Sequence, residues 1–114
     1  MPCKFCSAFS KFRCGVAPLR IETGRYENLA EEHRLCVLCD QGVVESEQHT
    51  MMRCTFHADE RAVLFALATQ QNEMFYNLNE FEQFIFLMSS PDMSFYSARA
   101  CYNILVNRRE FLYR

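Results

Sequence analysis

Cys36 and Cys39 stand three apart, His49 follows ten residues later, and Cys54 lies five beyond it. The stretch RLCVLCDQGVVESEQHTMMRC therefore reads C-x2-C-x9-H-x4-C. Two cysteines with two residues between them can form a knuckle, a tight turn that aims both sulfurs at one ion. Asp40, Gln41 and Gly42 supply the turn-forming residues directly after the pair. His49 and Cys54 are close enough for a turn or the start of a helix to carry both to the same ion. Three thiolates and one imidazole complete a tetrahedral Zn2+ shell with no open position, the pattern of a structural site. Soft thiolate ligands in a tetrahedral arrangement select zinc. The competing reading is that the cysteines pack as small hydrophobes, but four ligands within nineteen residues at usable spacing argue against it.

Other cysteines and histidines fit the pattern less well. His57, three after Cys54, is the alternative to His49, and His33 reads as a surface residue. Cys3 and Cys6 also have knuckle spacing, but only Cys14 and no nearby histidine could complete a site there. They read as free thiols in a frayed terminus. Cys101 reads as a core residue of a helix.

The elements that must position the site are legible mainly in the second half. Residues 59–71 begin with acids and are apolar nearly all round, which predicts a short buried helix. Residues 79–89 place Phe81, Phe84, Ile85 and Met88 on one inward face, with Asn79 as N-cap and Glu82 as the capping-box acid. Ser90 and Pro91 read as the N-cap and first position of a helix to about residue 112, with Ala98, Cys101, Tyr102, Leu105 and Leu112 inward. In the first half, Ala8, Phe9 and Phe12 share one face of a short helix stopping at Gly15 and Pro18. Leu19, Ile21 and Thr23 alternate with charged residues, which predicts an extended piece turning at Gly24. The expected fold is mainly α: one small domain over 1–114, a zinc knuckle or short β-hairpin at 34–57, then about three helices over 59–113.

Composition narrows the function. Of 114 residues half are hydrophobic, which suits a globular chain rather than a disordered one. The longest apolar run, Ala62 to Ala68, is seven residues, far below the roughly 18 of a membrane span. The first residues lack the apolar core of a secretory signal, and seven cysteines is an odd number. Reduced thiols and a metal are therefore expected over disulfides, which places the chain inside the cell, in cytoplasm or nucleus. Nothing suggests a membrane or a small-molecule substrate as partner. The three glycines, at 15, 24 and 42, cannot make a GxGxxG phosphate loop. A four-ligand zinc shell leaves no catalytic water, so no enzyme activity is expected.

The formal net charge of −2 excludes a generally basic coat, but charge is uneven. Residues 1–25 carry Lys4, Lys11, Arg13, Arg20 and Arg25 against Glu22 alone, and the tail carries Arg99, Arg108, Arg109 and Arg114 against Glu110. Residues 73–92 hold Glu73, Glu80, Glu82 and Asp92 with no base. A positive head and tail could meet on one face of the fold, although solvated surface charge explains such runs as well.

Taken together, SKFRCGVAPLRIETGRY (10–26), RLCVLCD (34–40) and VESEQHTMMRC (44–54) resemble the zinc-binding segment near the C-terminus of non-LTR retrotransposon (LINE-type) reverse transcriptase polyproteins. The most specific match is Ile21-Glu22-Thr23-Gly24-Arg25-Tyr26; the closing residues 86–114 are more loosely similar. The resemblance implies the ligands Cys36, Cys39, His49 and Cys54, the same four that the spacing gives. It also implies an accessory module rather than an enzyme. The polymerase motif with paired aspartates is missing, and no two aspartates are adjacent. Two kinds of partner are then open, nucleic acid as the leading reading and protein as the alternative, beside that of a polyprotein fragment with no function of its own. One is RNA or single-stranded DNA, gripped at phosphates by Lys11, Arg13, Arg20, Arg25, Arg34 and Arg53, with Phe12 or Tyr26 stacking on a base. The other is protein: a polymerase domain or another chain on which a zinc-nucleated helical fold docks.

Overall fold

Helix α1 (Cys3–Arg13) and the long α6 (Ser94–Leu112) pack along each other and form the main contact of the molecule. The structure, a computed structural model, describes residues 1–113, so Arg114 of the basic tail lies outside the described residues. Between these two come α2 (Arg20–Tyr26), α3 (Glu47–Met52), α4 (Ala58–Gln71) and α5 (Glu80–Ser89), joined by single 3-10 turns. The fold is mainly α, as expected. Helix α6 is the centre: α4 and α5 pack on it besides α1, and α5 also meets α3. Its buried face is built of small groups, Ser97, Ala98, Ala100 and Cys101, followed by Ile104 and Arg108. Small side chains let neighbouring helices approach closely and fill the gap with their own large residues, here Phe9, Phe12, Leu64, Leu87 and Met88.

Several local readings hold at atomic detail. Asn79 Oδ1 accepts from the Glu82 N–H at 2.8 Å while Glu82 accepts from the Asn79 N–H at 3.0 Å, a complete capping box. Asp59 and Glu60 occupy the first turn of α4. Gly15, at φ +71°, follows the end of α1 in the left-handed region that glycine tolerates. Cys101 is fully buried in the core and His33 is exposed.

Others need correction. The first cysteines are not in a frayed end, because Cys3 and Cys6 are the opening turn of α1 with exposed thiols. The expected extended piece is helical from Arg20 onward, and only Leu19, the N-cap of α2, is extended. Three alternating residues are too few to outweigh tertiary anchoring, and β-branched residues lose only a few tenths of a kcal/mol in a helix. The anchor is Glu45, whose carboxylate accepts from the Arg20 N–H at 2.8 Å at the start of α2. Gly24 lies inside this helix rather than at a turn. A Cβ there would sit 2.5 Å from Cγ of Arg34, so glycine is what lets that side chain cross the helix.

The face of α5 is also rotated. Phe81 and Ile85 are 60% and 46% exposed, while Leu87 and Met88 are buried and Phe84 is half-buried. Phe86 and Leu87 put apolar side chains outside the expected stripe as well, and packing on α3 and α6 chose the side that is buried. Ser97 Oγ, donating to the Leu87 carbonyl at 2.6 Å, pins the chosen rotation. Likewise α4 buries only Leu64 and Ala68 and leaves Val63 exposed, so it is an edge helix rather than a buried one. Ser90-Pro91 opens a 3-10 turn, Pro91–Met93, that leads into α6. Of the residues expected inward on α6, Ala98 and Cys101 are buried, whereas Tyr102, Leu105 and Leu112 are half-buried.

Candidate metal centre

The knuckle loop closes without a strand pair. In place of a hairpin there is one antiparallel bridge, Leu35 with Val44, flanked by Cys36 N–H donating to Val43 and Glu45 N–H donating to Arg34. Gly42, at φ +66°, makes the return turn. This places Cys36 and Cys39 on one side of the site. The other side is α3, where Ser46 Oγ caps the helix by accepting from the His49 N–H at 3.1 Å. The chain leaves α3 with both Arg53 and Cys54 N–H groups donating to the His49 carbonyl, which turns Cys54 back under the helix.

The result is one cluster. The ligand atoms of Cys36, Cys39, His49 and Cys54 all lie within 4.8 Å of one another. Cys36 Sγ is 3.8 Å from Cys54 Sγ, and Cys39 Sγ is 3.4 Å from His49 Nε2. With metal–sulfur bonds of 2.3 Å and metal–nitrogen bonds of 2.0–2.1 Å, a regular tetrahedron has S···S edges of about 3.8 Å and S···N edges of about 3.6 Å. These two contacts lie close to those edges, and the whole set, within 4.8 Å, is compact enough for the four residues to close on one metal ion. His57 does not belong to the cluster. It is buried with both ring nitrogens lacking a hydrogen-bond partner, its ring edge-on to Phe56.

Electrostatics fit a site whose protons a metal must displace. The Cys54 contact and burial push the Cys36 thiol up, and the same contact pulls Cys54 down. Either sulfur can donate in their 3.8 Å contact. Burial raises the Cys39 thiol and lowers His49, which therefore offers a neutral imidazole. Ligation replaces these protons, so affinity must rise with pH over the thiol range.

Three residues that the spacing gave no reason to single out hold the loop in place. Arg61 of α4 donates to the Cys54 carbonyl and, at 3.3 Å, to the Met51 carbonyl, so its guanidinium closes the open end of α3. Glu45, fully buried, accepts two hydrogen bonds of 2.8 Å from Arg108 of α6, in addition to the one from Arg20 N–H. The metal loop is thereby bolted to α2 and α6 together. Sequence offers little signal for this: Arg108 looks like one more charge of a solvated tail, yet it is buried and paired.

The six basic residues expected to meet phosphates are not one free patch. Arg34 is turned inward, donating to the carbonyls of Leu29 and Ile21 at 2.9–3.0 Å. Arg20 pairs with Glu27, Arg25 with Glu22, and Arg53 with Glu80. Arg13 lies over the Phe9 ring at 5.3 Å. Lys11 is exposed and has no carboxylate partner among the described residues. Phe12 is buried in the core and has no face for a base, whereas Tyr26 is exposed. Among the described residues no helix is long and apolar enough to cross a membrane. No protein-family model, curated protein or solved structure matches the chain.

Proposed function

We propose that the chain is a structural zinc module: one Zn2+, held by Cys36, Cys39, His49 and Cys54, clasps the irregular segment 34–57 onto a helical core that docks on other protein. The meeting of these four donors within 4.8 Å carries the reading. Bound there, the ion fills its shell with protein ligands and supplies folding energy rather than a reactive water. The resemblance to the reverse transcriptase zinc-binding region supports the same four ligands and an accessory role, with a polymerase domain or another chain as the docking partner. Free thiols at the ligands require a reducing compartment, cytoplasm or nucleus.

A second reading, sequence-tolerant contact with RNA or single-stranded DNA, now rests on fewer residues. Arg34 is spent on backbone carbonyls, and the carboxylates beside Arg20, Arg25 and Arg53 repel phosphate as well as neutralising the cation. Lys11 and Arg13 remain. Elemental analysis of reduced protein tests the first reading: one zinc per chain is expected, lost together with local structure on chelation. Metal-free protein with the same fold would overturn it. A salt titration with single strands tests the second, expecting a slope of about 0.7 per neutralised phosphate.

A further inference from the structure

The packing of α1 on α6 joins the basic head to the basic tail around a cleft of about 870 Å³, completed by α2. Its floor is aliphatic, with Ala8, Leu105, Val106 and Leu112, and its rim carries Lys4, Lys11 and Arg109. The two other cations lining it are already matched, Arg20 by Glu27 and Arg108 by Glu45. Neither Lys11 nor Arg109 has a carboxylate within ion-pair distance among the described residues. Three cations around an apolar floor form an amphipathic site for an amphipathic acid. Of its two aromatic rings Tyr102 is covered by Lys4 at 4.9 Å and by Phe5 at 5.4 Å, and only Tyr113 is exposed; a floor of four aliphatic side chains favours an apolar helix face over a strand, which stacks its bases on aromatic rings.

The same chain carries the complement. Phe81 and Ile85, one turn apart on α5, are 60% and 46% exposed, and Glu82 lies beside them on the helix. Met74 and Tyr76, in the turn before α5, are exposed as well. Residues 73–92 hold four acids and no base, and among the described residues only Glu80 is offset, by Arg53. That leaves Glu73, Glu82 and Asp92, three charges against the three of the rim. The helix that presents this face, α5, is ten residues and about 15 Å long.

We infer that the chain associates with copies of itself, the α1–α6 cleft of one receiving the Phe81–Ile85 face of α5 from the next. This rests on the docking-module reading and names the partner as a second copy. The two surfaces lie on different elements, so the contact is heterologous and propagates head to tail instead of closing about a two-fold axis. Charge on the rim makes it weaken with salt.

Sedimentation equilibrium of zinc-loaded protein tests it. Wild-type mass should rise with concentration without levelling at two chains, and fall back towards one in high salt. Lys11→Glu/Arg109→Glu and Phe81→Ser/Ile85→Ser, each at exposed positions, should be monomeric, with the association constant down at least tenfold. Mixed in equal amounts the two variants should give a complex of two chains and no larger, because one intact cleft and one intact face remain. A wild type that stays monomeric at full zinc occupancy overturns the inference while leaving the zinc module standing. So does a mixture that stays monomeric, or a dimer indifferent to both variants. Binding of a single-stranded oligonucleotide that needs Lys11 and Arg109, by a chain that stays monomeric, assigns the cleft to nucleic acid instead. Protein without zinc refutes the underlying reading and the inference with it.

Discussion

Replacing Glu45 by Gln changes one oxygen of a fully buried carboxylate into an NH2 group. The structure sets what that costs. Glu45 accepts from two nitrogens of Arg108 and from the Arg20 N–H, all at 2.8 Å, and Arg108 is 7% exposed. The amide keeps one acceptor but turns a donor towards the guanidinium, so the cation stays buried without its counter-charge. Removing one partner of a buried pair costs about 3–5 kcal/mol. The retained oxygen puts Glu45→Gln near the lower end, about 3 kcal/mol, out of a total stability of roughly 5–15 kcal/mol for a domain. Urea denaturation of zinc-saturated protein, followed by helical circular dichroism, would read it as a lower midpoint. The mechanism is stranded charge, so Glu45→Gln/Arg108→Met should recover a large part of the loss. A single-variant loss below about 1 kcal/mol, the worth of an ordinary hydrogen bond, would refute the reasoning. So would a double variant no more stable than the single.

Other consequences can be checked directly. His49→Ala should release the metal and His57→Ala should retain it, by elemental analysis of each. In the zinc-loaded protein Cys3, Cys6 and Cys14 should react with a maleimide; Cys36, Cys39 and Cys54 should react only after chelation, and Cys101 only on unfolding, as counted by mass spectrometry. Gly24→Ala should destabilise, because the new methyl meets the Arg34 side chain that holds Leu29 and Ile21; the expected loss of about 1–3 kcal/mol exceeds the helix-propensity gain of about 1 kcal/mol. Burial pushes His57 down to about 4, whereas the unfolded chain takes its proton near 6.5. The unfolded state therefore binds more protons between these values, and the His57 contribution is full above pH 6.5 and lost as pH falls towards 4. Comparing zinc-loaded wild type with His57→Asn isolates this slope from acid release of the metal, and equal slopes would contradict it.

The sequence by itself determined whatever depends on near neighbours in the chain. Cys36 and Cys39, His49 and Cys54 are two local pairs, each held within a turn, so their spacing was enough to nominate a four-donor set. The Asn79–Glu82 box and the acids opening α4 are likewise interactions over three or four residues. Tertiary structure decided what local pattern leaves degenerate. It chose which side of α5 faces inward, because a helix with apolar residues on more than one side does not specify its own rotation. It made a helix of 20–26, because a carboxylate 25 residues away caps it. It took Arg108 out of a solvated tail and buried it against Glu45, a partner 63 residues distant. Charge read along the chain gave a positive head and tail; only packing showed which of those cations were already matched by carboxylates and which faced an open cleft. The long-range pairs share one reason: Glu45 meets Arg20 and Arg108 only because folding brings α2, the metal loop and α6 together, and no window of neighbouring residues contains both partners.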